Sequence, residues 1–279
     1  MKKILFAGGD TRTLAAIEYM KRYGYAPITY GIENRNKAEF SEVEAVVFPF
    51  PTFRNGRLNA PLNPNPPTLE ETITETGIDP NTVFAVGGPI KNNPFTRYTD
   101  LSENEELKLR NAVTTAEGAI ALLIENTDRA VFGMPILTVG YGAIGKRLSQ
   151  LLHAMGANVT VAARKEKDRT DALLHGCKTM DTAKLSLRGQ KAILNTVPVQ
   201  LITESISETA DEDACFLELA SSPGGCDPDD VKKRMRKWIS GASLPGKVAP
   251  VTAGEDLAKT LIPIFSLQKR KGSGTTIGT

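Results

Sequence analysis

The chain has 279 residues, room for two ordinary domains, and its 41% hydrophobic and 24% charged content is that of a soluble globular protein. Its 34 basic and 32 acidic residues leave a formal net charge of +2, too small to favour a nucleic-acid or membrane-surface partner. Cys177, Cys215 and Cys226 are far apart, and His153 and His175 are the only histidines. Neither a disulfide framework nor a metal centre is expected. No apolar run is long enough to span a bilayer. Lys2-Lys3 leads into only four apolar residues, which reads as a first strand and not as a secretory signal. The expected compartment is a reducing cytoplasm.

Lys3-Ile-Leu-Phe-Ala predicts a buried strand that ends at Gly8-Gly9-Asp10-Thr11-Arg12. A helix with Leu14, Ile17 and Met20 on one side follows and stops at Gly24. Ala26-Pro-Ile-Thr-Tyr and Glu44-Ala-Val-Val-Phe read as the next strands, completing the start of a βα domain. The Gly8-Gly9 turn lacks a third glycine at nucleotide-binding spacing, so Asp10, Thr11 and Arg12 are candidates for substrate contact. Arg12 suits a carboxylate, and Asp10 could serve as a base or simply cap the helix. Residues 51–68 carry five prolines and predict a long loop. Thr82-Val-Phe-Ala-Val resumes the strand pattern, and Tyr98-Thr-Asp closes the domain before a helix near Ser102. Asn111-Ala-Val-Thr-Thr-Ala-Glu-Gly-Ala-Ile reads as a helix capped by Thr114 or Thr115 that bridges the two domains. Glu117 then falls in its first turn, as a dipole partner or an acid–base group.

Pro135-Ile-Leu-Thr-Val-Gly140-Tyr-Gly142-Ala-Ile-Gly145 is an apolar strand running into G-x-G-x-x-G and then an amphipathic helix. That order is the dinucleotide-binding arrangement. Gly140, Tyr141, Gly142, Ala143, Ile144 and Gly145 are the expected cofactor contacts. The next strand, from Asn158, ends in Ala163-Arg164-Lys165, where an NAD site would place an acid for the ribose hydroxyl. Two cations there suit a 2′-phosphate, so NADP is the expected cofactor, with Glu166 and Asp168 as the acids a shorter or longer strand would bring into play. Asn195-Thr196-Val197-Pro198 and Ala220-Ser221-Ser222-Pro223-Gly224-Gly225 end two further strands. The first set is expected at the cofactor, with Ser221 and Ser222 at the substrate. The basic cluster Lys232–Lys237 follows Asp227, Asp229 and Asp230 and reads as a solvated helix with complementary end charges. Lys247, in a glycine-proline loop, is a candidate for a substrate carboxylate or for catalysis. Thr252 is expected to cap a last helix, and residues 269–279 read as a mobile tail.

The fold expected is α/β, with two doubly wound Rossmann-like domains, a bridging helix and a C-terminal helix returning to the first domain. The domains expected are residues 1–112 with 252–268, and 113–251. Three segments, Asn111-Ala-Val-Thr-Thr-Ala-Glu-Gly-Ala-Ile, Leu219-Ala-Ser-Ser-Pro-Gly-Gly-Cys-Asp227 and Leu244-Pro-Gly-Lys-Val-Ala-Pro-Val-Thr-Ala-Gly254, closely resemble the first, dehydrogenase subunit of the dipicolinate synthase family. The resemblance implies an NADP-dependent dehydrogenase that oxidises a small dicarboxylate, a dihydrodipicolinate from the lysine pathway, to the dipicolinate of bacterial spores. The partner that it implies is a flavoprotein-like second subunit; a homo-oligomer remains compatible with the sequence. The alternatives are a shikimate- or alanine-dehydrogenase-like enzyme acting on another small carboxylate, and a non-catalytic nucleotide-sensing scaffold.

Overall fold

The structure, a computed structural model, describes residues 3–35, 39–235 and 237–272. Two compact units divide them. The first takes the residues up to Asn111 and those from Ala249 onward, and the second is Ala112–Val248.

The first unit runs β1 (Lys3–Ala7), α1 (Thr11–Arg22), β2 (Ala26–Tyr30), β3 (Ala45–Val47), β4 (Phe53–Arg54), β5 (Arg57–Leu58), α2 (Leu69–Thr76), β6 (Phe84–Gly87) and β7 (Tyr98–Asp100). Its main sheet is parallel throughout, in the order β2-β1-β3-β6-β7. Alternation along each strand sorts the side chains onto two faces. Ile4, Phe6, Ala45, Val47, Phe84 and Val86 meet one helical layer, while Leu5, Ala7, Val46 and Ala85 meet the other. The sequence predicts a plain loop over 51–68, but Asn55-Gly56, with φ of 54° and 76°, turns β4 back on β5 as a hairpin. Backbone bonds from Leu58 to Pro67 and from Asn59 to Thr52 tie that loop down.

Helix α3 (Glu105–Asn126) carries the chain from the first unit into the second. Two expectations about it are corrected. Asn104 caps it, its Oδ1 accepting from the Leu107 N–H at 2.8 Å, so Thr114 and Thr115 lie buried in mid-helix and cap nothing. Glu117 consequently stands on the exposed side of a continuous helix and not in a first turn. The apolar run that reads as a second helix start is the part of the same helix that enters the second core, through Ala116, Ala119 and Leu123.

The second unit continues β8 (Pro135–Val139), α4 (Ala143–Ala154), β9 (Asn158–Ala162), α5 (Glu166–Leu174), β10 (Lys178–Met180), β11 (Ala192–Asn195), α6 (Glu204–Ser207), β12 (Cys215–Glu218), α7 (Pro228–Arg234), β13 (Lys237–Ser240) and α8 (Leu244–Val248). All six strands are parallel, in the order β10-β9-β8-β11-β12-β13, the doubly wound dinucleotide-binding order. In α7, Asp229 and Asp230 fill the first turn and Lys232, Lys233 and Arg234 the last, as the charge pattern predicts.

Helix α9 (Pro250–Gly272) returns to the first unit and packs along α1. It starts earlier than the sequence suggests. Ala249 accepts the Ala253 N–H and Pro250 takes the first helical position, where its missing donor is harmless. Thr252 therefore lies inside the first turn and caps nothing. The expected tail also shortens: α9 includes 269–272, and 273–279 lie outside the described residues. The two helices come close at Gly254, where a Cβ would lie 2.5 Å from both the Ala15 Cβ and the Arg12 carbonyl oxygen. Replacing Gly254 with valine is expected to destabilise this unit by about 1–3 kcal/mol through overpacking, measured as a lowered midpoint in urea unfolding. Among the described residues no helix is long and apolar enough to cross a membrane.

Candidate functional site

In an open parallel sheet, ligands collect beyond the carboxyl ends of the strands, where the strand order reverses. In the second unit that point is the end of β8. Gly140 takes φ +97°, and a Cβ there would lie 2.4 Å from Thr196 Oγ1. A Cβ on Gly145 would lie 2.2 Å from the Gly140 carbonyl oxygen. These two glycines are required by the protein itself, for the turn and for the seating of α4 on the strand. Gly142 differs. It is the N-cap of α4, with φ −75°, ψ −167° and no side chain capping the helix. A Cβ there would meet no atom within 4 Å. Its backbone is open to any residue and its surroundings are empty, so the protein's own packing does not call for glycine. A group that must come close to the uncapped N–H groups of α4, as a pyrophosphate does, would call for it.

Tyr141 and Lys146 brace the turn. Lys146 Nζ pairs with Asp171 at 2.8 Å and lies 6.0 Å from the Tyr141 ring centroid. Lys146 first, then Tyr141, holds the Asp171 carboxyl below its ordinary range, whereas burial raises the Tyr141 hydroxyl. Ala143 and Ile144 open the helix and are half-buried.

Beyond β9, Arg164 and Lys165 are exposed and pair with no acid among the described residues. The strand stops at Ala162, and Glu166 and Asp168 belong to the first turn of α5. A residue that sequence reasoning passed over fixes this corner. Arg169 Nη1 donates to the Ala163 and Arg164 carbonyls, both at 2.8 Å, and pairs with Asp181 at 3.0 Å.

On the other side of β8, the expected row Asn195 to Pro198 divides. Thr196 and Val197 are half-buried and Pro198 is exposed. Thr196 Oγ1 donates to the Val139 carbonyl at 2.8 Å, which places it against the glycine turn. Asn195 is fully buried, so its side chain does not present to a ligand as expected. Its Nδ2 donates instead to Glu218 Oε1 at 2.7 Å and to the Val197 carbonyl at 3.0 Å. Glu218 also went unnoticed, although it is the single charge in the apolar strand Phe216-Leu-Glu-Leu-Ala. Ser221 and Ser222 are exposed on the loop that follows. Cys226 lies beneath it, its thiol raised to about 11 by burial, which keeps it protonated and unreactive.

In the first unit the strand order reverses between β1 and β3. A small hollow opens there, lined by Arg12, Thr13, Phe48, Phe50 and Asn111 among others. Asp10 caps α1 by accepting the Arg12 N–H at 3.0 Å. Arg12, expected to suit a carboxylate, is partly engaged within the protein. Its Nε and Nη2 are committed to Asp10 at 2.7–3.0 Å, and Nη2 donates also to the Phe50 carbonyl at 3.2 Å. Both Asp10 oxygens are thereby taken up by Arg12. Thr11 is exposed at the same turn. Lys247 is exposed on the short helix α8, not on the expected loop.

No family model matches the chain. The first subunit of dipicolinate synthase from Bacillus subtilis is 24% identical over 97% of this chain and 98% of its own. The chain resembles that protein from end to end. The solved structure of the same subunit from Bacillus halodurans, at 24% identity, superposes with a TM-score of 0.82 over 94% of this chain and 97% of its own. The fold is shared more widely: D-lactate dehydrogenase from Escherichia coli, at 11% identity, gives 0.62 over 96% and 97%.

Proposed function

We propose that this chain is the dehydrogenase subunit of a dipicolinate synthase, oxidising a dihydrodipicolinate to dipicolinate with NADP as hydride acceptor. The observation that carries the nucleotide reading is Gly142, a glycine that neither backbone nor packing demands, at an uncapped helix start. The unpaired cations Arg164 and Lys165 support a 2′-phosphate over a free ribose hydroxyl. The substrate reading rests on the end-to-end similarity to the first subunit of dipicolinate synthase.

NADP, when bound, supplies the electrophilic nicotinamide carbon that takes the hydride. The ring loses that hydride from carbon and a proton from a neighbouring atom, and the aromaticity gained drives the step. The chain's task is to orient the ring and to neutralise two carboxylates. Arg12 is suited to one of them: Asp10 and the Phe50 carbonyl hold its guanidinium in place, which leaves Nη1 to donate. In the first unit Thr11 adds a hydroxyl beside Arg12; in the second, Ser221 and Ser222 present hydroxyls and Lys247 a cation. Glu117, exposed and without an ion pair among the described residues, is the acid–base candidate that remains once Asp10 is tied to Arg12. A second, flavoprotein-like subunit completes the enzyme in this reading.

Arg12→Lys keeps the charge but loses the planar fork, and is expected to raise KM for the dicarboxylate about tenfold while nucleotide affinity stays unchanged. The activity itself is tested by mixing the purified protein with NADP and the hydroxylated tetrahydrodipicolinate precursor, with and without the second subunit. NADPH and dipicolinate absorbance rising together support the proposal. Silence in both mixtures, with NADP still bound, turns the reading to a nucleotide-sensing scaffold.

A further inference from the structure

Glu218 ends β12 and is 8% exposed. Its register partner on β11 is Asn195, and the two side chains meet at 2.7 Å. Glu218 Oε1 also accepts the Ala220 N–H at 2.9 Å. Its Oε2 accepts the Gly225 N–H at 2.9 Å and lies 3.8 Å from Cys226 Sγ. Both of its oxygens accept N–H bonds, as a carboxylate does. No cation pairs with it among the described residues. A buried anion satisfied only by neutral dipoles costs stability, and an uncharged side chain would fill the same space more cheaply.

The clamp that it forms is tight. A Cβ on Gly225 would lie 2.2 Å from Asn195 Nδ2, and the Gly225 carbonyl accepts the N–H groups of both Leu201 and Ile202. Through Asn195, the carboxylate thus connects the Thr196–Pro198 turn to the Ser221–Gly225 loop. Thr196 in turn abuts Gly140. The adenosine ribose belongs at the end of β9, on one side of β8. The other half of a dinucleotide must then extend over the ends of β11 and β12, the strands that end in Asn195 and Glu218.

We propose that Glu218 is a positioning residue whose fixed negative charge favours the oxidised, cationic nicotinamide over the reduced, neutral one. The inference rests on the nucleotide reading above. A buried charge acts on a nearby developing or resident cation through a low-dielectric medium with little reorganisation. Oxidised nucleotide is therefore retained more tightly, which suits an enzyme that must remove hydride from its substrate.

The test measures dissociation constants of the oxidised and reduced dinucleotides by calorimetry for the wild type, Glu218→Gln and Asn195→Ala. Glu218→Gln is expected to weaken oxidised nucleotide about fivefold more than reduced. Asn195→Ala, which loosens the same clamp but keeps the carboxylate, should weaken both equally. Equal losses in Glu218→Gln reduce the carboxylate to a structural clamp and overturn the inference. If Glu218→Gln does not fold, the wild-type ratio decides: oxidised bound at least as tightly as reduced supports the proposal, and reduced bound more tightly overturns it. A wild-type protein that binds neither form removes the nucleotide reading, and the inference with it.

Discussion

Gly142→Val is expected to reduce nucleotide affinity by about tenfold to a hundredfold, the equivalent of 1–3 kcal/mol of overpacking, while thermal unfolding stays at the wild-type midpoint. The separation of the two readouts follows from the geometry. At φ −75° and ψ −167° any residue is at ease, and nothing of the protein lies within 4 Å of the new Cβ. The added branches would then meet only a group bound at the start of α4, as a pyrophosphate would be. Gly145→Val is the contrasting control. Its Cβ would meet the Gly140 carbonyl oxygen at 2.2 Å, so it should lower stability and binding together. Fluorescence titration with NADP beside a melting curve distinguishes the two variants. Unchanged NADP affinity in Gly142→Val would mean that the turn binds no phosphate.

Arg164→Ala is expected to weaken NADP by about tenfold or more, as befits the loss of a charge-assisted contact to phosphate, and to change NAD by less than twofold. Arg164 is free to make that contact because the carbonyls around it are held by a different arginine, Arg169. Arg169→Ala should release the whole corner and weaken both nucleotides alike. Paired titrations of the two variants with NADP and NAD check the assignment, and equal losses of both nucleotides in Arg164→Ala would remove the 2′-phosphate from this corner.

Much of the fold was legible locally. Apolar runs marked β1, β8 and β11, because a strand buried on both faces must be apolar along its length. Gly140, Gly142 and Gly145 announced the turn by spacing alone. Helix boundaries were less legible. Thr114 and Thr115 carry a cap's chemistry, but Asn104 had already opened the helix and no residue before Asn126 interrupts it. The hairpin β4–β5 was signalled by Asn55-Gly56 yet overshadowed by the prolines around it.

By itself, the sequence determined the two α/β halves, the glycine turn after β8, the cations Arg164 and Lys165 beyond β9 and the similarity to dipicolinate synthase. Each of these is written in neighbouring residues, as periodicity, glycine spacing or a contiguous motif. Only the tertiary structure decided that Arg12 is bound to Asp10, that Asn195 turns inward and that Glu218 is buried against it. Asn195 and Glu218 are 23 residues apart and become partners only when β11 and β12 align in parallel register, and the direction of a side chain is settled by that alignment, not by its neighbours in sequence. Gly142 needed both: the motif singled it out, and the empty space around it shows that packing does not demand its glycine.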